Sequence, residues 1–143
     1  MMKKYIRNFL VLCLCMVMVL HTLPVAAASN NSMARGTYMS SASVYAVLEG
    51  EDDIIGNALV ICLSKVKEIN VTMYLQRAYG SVWRNASAPF YMSAKDTNEL
   101  DQAAIIRNVV PGTYRIYIEV EVIGYDGLFD SAEVGTGSLT INT

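Results

Sequence analysis

Ile69-Asn70-Val71-Thr72-Met73-Tyr74-Leu75-Gln76 decides the fold class. Ile69, Val71, Met73 and Leu75 alternate with Asn70, Thr72, Tyr74 and Gln76, the period of two that gives a β-strand one core face and one solvent face. A helix advances about 100° per residue and would scatter the apolar set around its circumference. The same alternation returns downstream. Tyr114, Ile116, Ile118, Val120 and Val122 face inward, and Arg115, Tyr117, Glu119 and Glu121 face outward. Upstream, Ala42, Val44, Ala46 and Leu48 oppose Ser41, Ser43, Tyr45 and Glu49.

Weaker segments lie between these. Residues 58–64 are apolar on both faces, which suits a central strand covered on both sides, and Leu59, Ile61 and Leu63 also form a candidate apolar patch. Gly80 turns the chain into a short piece through Val82, Trp83 and Arg84. Pro89 confines Phe90-Tyr91-Met92 to an edge or a loop. Residues 95–102 are charged and turn-like, 103–109 form a further strand stopped by Pro111-Gly112, and 138–142 close the chain. About seven short strands at this spacing predict an all-β, antiparallel sandwich over residues 37–143.

The N-terminus carries a different pattern. Lys3, Lys4 and Arg7 precede an apolar run of 12 residues from Phe9 to Leu20, and Pro24 precedes Ala26-Ala27-Ala28. That is the layout of a cleavable signal peptide over 1–28, too short for a membrane span of about 18–20 residues. Cleavage after Ala28 would leave a secreted chain with a polar lead-in over 29–36 read as disordered, and contact with a membrane only during export. Removal of 28 of the 143 residues takes away His21, the single histidine, together with Cys13 and Cys15, leaving Cys62. It also removes three of the 11 basic residues, so that eight face 13 acids, a charge near −5. Such a balance excludes an electrostatic footprint for nucleic acid.

Tyr38-Met39-Ser40-Ser41-Ala42-Ser43, the 69–76 strand, Gly80-x-x-Trp83 and Pro111-Gly112-Thr113-Tyr114-Arg115 together resemble small secreted immunoglobulin-like or fibronectin-type-III-like proteins of Gram-positive bacteria. The resemblance covers about 38–143 and implies an immunoglobulin-like sandwich with Tyr114 as a tyrosine corner. Two departures concern cysteine. Immunoglobulin domains bridge their second and sixth strands, whereas here only the second carries a cysteine. In the secreted relatives a first-strand cysteine stands where this chain has Ala42, which would make Cys62 the remnant of a bridge. A buried thiol acting as a small hydrophobe describes Cys62 equally well.

Catalytic chemistry finds little to use. Nucleophilic catalysis needs a base beside a hydroxyl or thiol, and past residue 28 there is no histidine. Zinc draws mainly on Cys and His. Calcium needs only oxygen ligands, and carboxylates gather in Glu51-Asp52-Asp53 and in Asp126, Asp130 and Glu133, neither with the spacing of a known calcium loop; solvated turns account for both. The expectation is a non-enzymatic protein without cofactor or metal. In the immunoglobulin arrangement the third and sixth strands are neighbours, which sets Thr72, Tyr74 and Gln76 beside Arg115, Tyr117 and Glu119, with Trp83 adjoining. Tyr74, Gln76, Trp83, Arg115 and Tyr117 are therefore the candidate binding face for a protein or glycan ligand. Cross-strand pairs of this kind also stabilise a sheet without any ligand. Self-association through exposed strand edges is the alternative, and a hydrolase without a recognisable motif a more distant one.

Overall fold

The computed structural model describes residues 36–142 and the backbone of 30–32. The expected leader and its cleavage site lie outside the described residues. Among those described there is no helix. Eight strands form one antiparallel sheet: β1 (Asn30–Ser32), β2 (Met39–Glu49), β3 (Asp53–Tyr79), β4 (Val82–Asn85), β5 (Phe90–Ile106), β6 (Gly112–Ile123), β7 (Phe129–Gly135) and β8 (Leu139–Ile141). β1 pairs with β2 from within the segment expected to be a disordered lead-in.

β3 organises everything else. Its first part, 53–61, pairs with β2 on one side and with the end of β5 on the other, and its second part, 68–79, pairs with β6 on one side and with β4 and the start of β5 on the other. The segments 58–64 and 69–76, expected as separate strands, are thus one strand with a bend. Between them the register with β5 slips: Cys62, Leu63, Ser64 and Lys65 stand opposite Asn98 alone, between the pairs Ile61–Glu99 and Val66–Thr97. Extra residues on one strand bend it and increase its twist. The buried positions change phase across the bend, from Ile54, Ala58, Val60, Cys62 and Val66 to Ile69, Val71, Met73 and Leu75. Two in-phase half-strands joined out of phase read as two strands in the sequence.

β5 bends with β3, and Asp96 takes a left-handed φ of 52° there. The charged residues 95–102 therefore form strand, contrary to the turn expected of them. They remain solvated because β5 pairs only with β3, leaving its other edge and its outer face in water, with Leu100 as the buried exception. Phe90-Tyr91-Met92 does hold the edge position that Pro89 suggested.

The bend curls the sheet over one core. Gly56, on the first half of β3, has no room for a side chain: a Cβ there would lie 2.9 Å from the Met73 sulfur and 3.2 Å from Ile116 Cγ1. The two halves of β3 thus face each other, and β2 packs across the core on β6 and β7 without pairing to them. Ile54, Ile69, Met73, Ile116 and Ile118 fill the space between. The inward and outward sets expected for β6 are observed. Tyr114 is buried, and its hydroxyl donates to the Val110 carbonyl at 2.7 Å, the local bond of a tyrosine corner. β7 and β8 share one edge of β6, joined at buried Thr136, whose Oγ1 accepts from the Ile116 amide at 3.0 Å. A hydroxyl there keeps a core amide satisfied where the edge strand changes.

The segment 58–64 is central, but it is not covered on both sides. Its outer face is open, with Ile61 39% and Leu63 68% exposed. Cys62 is buried and its thiol is pushed up in pKa, by burial first and then by the charge of Asp130. It stands opposite Met39, whereas Ala42 stands opposite Val60. A bridge from position 42 to Cys62 would run diagonally across about 7–8 Å, farther than a disulfide spans without moving backbone. The remnant-bridge reading is therefore set aside for that of a small buried hydrophobe.

Candidate functional site

The register of β3 on β6 fixes the outer face of this half of the sheet row by row. Tyr74 stands opposite Tyr117, Gln76 opposite Arg115 and Thr72 opposite Glu119. β4 brings Trp83 against Ala78 and Asn85 against Gln76, and β5 brings Tyr91 against Thr72. All five residues singled out in the sequence share this face.

They are also in contact. The Arg115 guanidinium lies 4.7 Å from the Trp83 ring centre and 5.5 Å from that of Tyr117, so one cation is held between two π faces. Its Nε donates to Gln76 Oε1 at 2.8 Å, and Gln76 Nε2 donates to Asn85 Oδ1 at 3.1 Å. This chain of hydrogen bonds ties β6, β3 and β4 together and sets the amide of Gln76. The Tyr74 and Tyr117 rings stand 6.2 Å apart at 42°. Tyr74 donates to Glu119 Oε2 at 3.1 Å.

Burial, then the nearby Glu133 and Glu119 carboxylates, push the Tyr117 phenol up to about 12, against a smaller opposite pull from Arg115. Burial and the bond to Glu119 raise Tyr74 as well. Both phenols therefore stay neutral at physiological pH and serve as hydrogen-bonding groups. Beyond the tyrosine pair the face dips into an open depression of about 630 Å³ lined by Asn70, Thr72, Glu119, Glu121, Ser131 and Glu133. The face thus runs from a cationic, aromatic end to an acidic one.

Asn85, Tyr91 and Glu133 belong to it and were not anticipated. Tyr91 is 79% exposed. Nothing in Pro89-Phe90-Tyr91-Met92 says which strand it pairs with, and that pairing alone brings it here.

The acidic sets have structural partners. Asp130 accepts from the backbone amides of Thr37, Tyr38 and Met39 at 3.2, 2.7 and 2.9 Å. Burial pushes its carboxyl up, but these amides outweigh that and hold it below the usual range. The Tyr38 hydroxyl donates to Asp126, which also accepts from the Leu128 amide at 3.1 Å. That pairing lowers Asp126 and pushes Tyr38 up to about 12. Asp53 receives the Asn108 amide at 3.0 Å and Arg107 at 3.3 Å. These carboxylates are clasps between chain segments, more than solvated turns. Among the described residues no three His, Cys, Asp or Glu side chains are grouped to hold a metal ion.

These features define an all-β protein whose curled sheet presents one mixed aromatic and polar face. No protein-family model matches the chain, and neither does any curated protein.

Proposed function

We propose that this is an exported, non-enzymatic binding module of the immunoglobulin-like kind, with Tyr74, Gln76, Trp83, Arg115 and Tyr117 as its contact surface for an extracellular protein or glycan. The observation that carries the reading is the clamping of Arg115 between Trp83 and Tyr117 with its Nε on Gln76. A cation and three aromatic rings held in fixed orientation lose little freedom on binding, and Trp, Tyr and Arg are the residues that most often carry binding energy. The immunoglobulin-like assignment is supported by the pairing of β2 with β3 and the end of β5 on one half of the sheet, of β4, β3, β6 and β7 on the other, and by the Tyr114 corner. Export is supported by the sequence pattern of residues 1–28, and the non-catalytic reading by the lack of histidine beyond it.

The test is capture from cell-wall, glycan and host fractions by the tagged protein. Tyr74→Ser together with Tyr117→Ser is expected to abolish capture while the circular dichroism spectrum stays that of β-sheet. Undiminished capture by this variant would remove the face from the account.

Self-assembly is favoured by one observation, the outer face of the other half of the sheet, where Tyr45, Ile61 and Ile105 are 43%, 39% and 47% exposed. Three strands at about 4.8 Å spacing and about nine residues of length make roughly 400 Å², half of the about 800 Å² per partner of a stable interface. The free edge of β5 is blunted by Pro89, the Asp96 kink and the charges of 95–101. Sedimentation is expected to give a monomer at micromolar concentration, with Ile61→Lys leaving it unchanged; a dimer dissolved by Ile61→Lys would favour assembly instead.

A further inference from the structure

Arg115 is a cation without an anion. It is half-buried, and among the described residues no carboxylate pairs with it; the ion pairs there join Lys95 to Glu68 and Arg107 to Asp53. Its planar head is held between Trp83 and Tyr117, and its Nε is taken by Gln76. Nη1 and Nη2 take no acceptor among the described residues, and together they present the two donors that grip a carboxylate end-on.

Gly135 leaves this edge of the guanidinium uncovered. It pairs with Tyr117, and a Cβ added there would stand 3.6 Å from Tyr117 Cδ2 and 3.7 Å from Arg115 Nη1. A larger side chain at 135 would therefore grow over the cation. The backbone does not demand glycine at this position, since positive φ among the described glycines is confined to Gly50, Gly80 and Gly127.

The rows beyond the tyrosine pair carry the opposite charge. Glu119 stands opposite Glu133 four residues along β6 from Arg115, and Glu121 lies two residues further. At about 3.4 Å per residue those rows are about 14 Å and about 20 Å from the Arg115 row. All three carboxylates are exposed, and none has an ion-pair partner among the described residues.

A strip with one positive charge and three negative ones is complementary to a ligand with one acid and more than one base at the same spacing. An extended peptide advances by the same about 3.4 Å per residue, so its side chains match the rows. A polyanionic glycan would meet like charge at Glu119 and Glu133, and a neutral one brings no cation to them.

We propose, on the reading of this face as a contact surface, that it takes an extended peptide with an acidic residue on Arg115 beside Gly135 and basic residues four and six positions away on Glu119, Glu133 and Glu121. The residues between them cross the Tyr74 and Tyr117 rings.

Two capped, dye-labelled peptides test this by fluorescence anisotropy. One carries a glutamate followed by lysines four and six residues on, with serines elsewhere; the other has the reverse order, because the strip does not fix chain direction. At least one is expected to bind saturably. Changing its glutamate to glutamine, or Arg115→Gln in the protein, should weaken binding about tenfold, and the two changes together should cost little more than either alone. Gly135→Leu should weaken binding as well without lowering the urea midpoint, which separates a covered guanidinium from a damaged fold. Failure of both peptides to bind overturns the proposal. So does binding that ignores the peptide's glutamate, survives Arg115→Gln, or persists with the lysines moved next to the glutamate. Capture from the fractions of a glycan free of peptide, still dependent on Tyr74 and Tyr117, would also overturn it while leaving the contact surface in place. Capture indifferent to both tyrosines would instead remove the surface itself.

Discussion

Asp130→Ala is expected to cost about 3 kcal/mol at neutral pH, because it strips one carboxylate from three backbone amides leading into β2 and leaves the part-buried amides of Tyr38 and Met39 without a partner beside the core. The loss should carry a pH signature. The amides hold the folded-state carboxyl below its ordinary value, so its contribution is fully present above the unfolded pKa of about 3.9 and fades as pH falls through the lower folded one. Urea unfolding of the wild-type protein is therefore expected to lose stability from about pH 4 downward, and Asp130→Ala to lose less of it. Part of the acid sensitivity should persist in the variant, since Asp126 is also lowered, by its bond from Tyr38. Parallel pH profiles for the two proteins would mean that Asp130 is no clasp.

Gly56→Val is expected to destabilise by about 3 kcal/mol, at the upper end of what overpacking a core costs. Valine favours strands, so any loss is steric. Its Cβ meets the Met73 sulfur at 2.9 Å and Ile116 Cγ1 at 3.2 Å, from the two segments that face the first half of β3. Met73→Ala alone should also destabilise by opening a cavity. Combined, the two changes should cost less than their sum, since the space removed at 73 receives the side chain added at 56. Additive losses in thermal or urea unfolding would place Gly56 and Met73 apart.

What was legible in the sequence is where side-chain periodicity carries the information. The alternation in 69–76 and 114–122 specified strands, faces and the inward set, because one face of each is fully buried and a slip of one residue would invert it. It also specified most of the outer face. Once those two strands are neighbours, the pairing of Tyr74 with Tyr117 and of Gln76 with Arg115 follows from the alternation and a register.

The bend was not legible. Val66 and Ile69 are both buried although three residues apart, so the period breaks at Lys67-Glu68 just where a turn would break it. Residues 95–102 misled for a related reason. An edge strand with an outer face in water tolerates the composition of a loop, and only its pairing to β3 identifies it. The clasps of Asp126 and Asp130 join segments about 90 residues apart, and the local composition of an acidic turn contains no trace of such a partner.

The fold depends on β3 doubling back so that its two halves face each other, since this bend turns one row of Tyr74, Gln76 and Ala78 outward next to β6. Nuclear Overhauser contacts in methyl-labelled protein report on it directly. Cross-peaks are predicted from the Gly56 α-protons to the Met73 methyl and the Ile116 δ-methyl, alongside the amide contacts that pair β3 with β2 and β6. Finding those amide contacts intact with no cross-peak from Gly56 to either methyl would mean that the halves of the strand lie splayed in a flat sheet, contradicting the fold described.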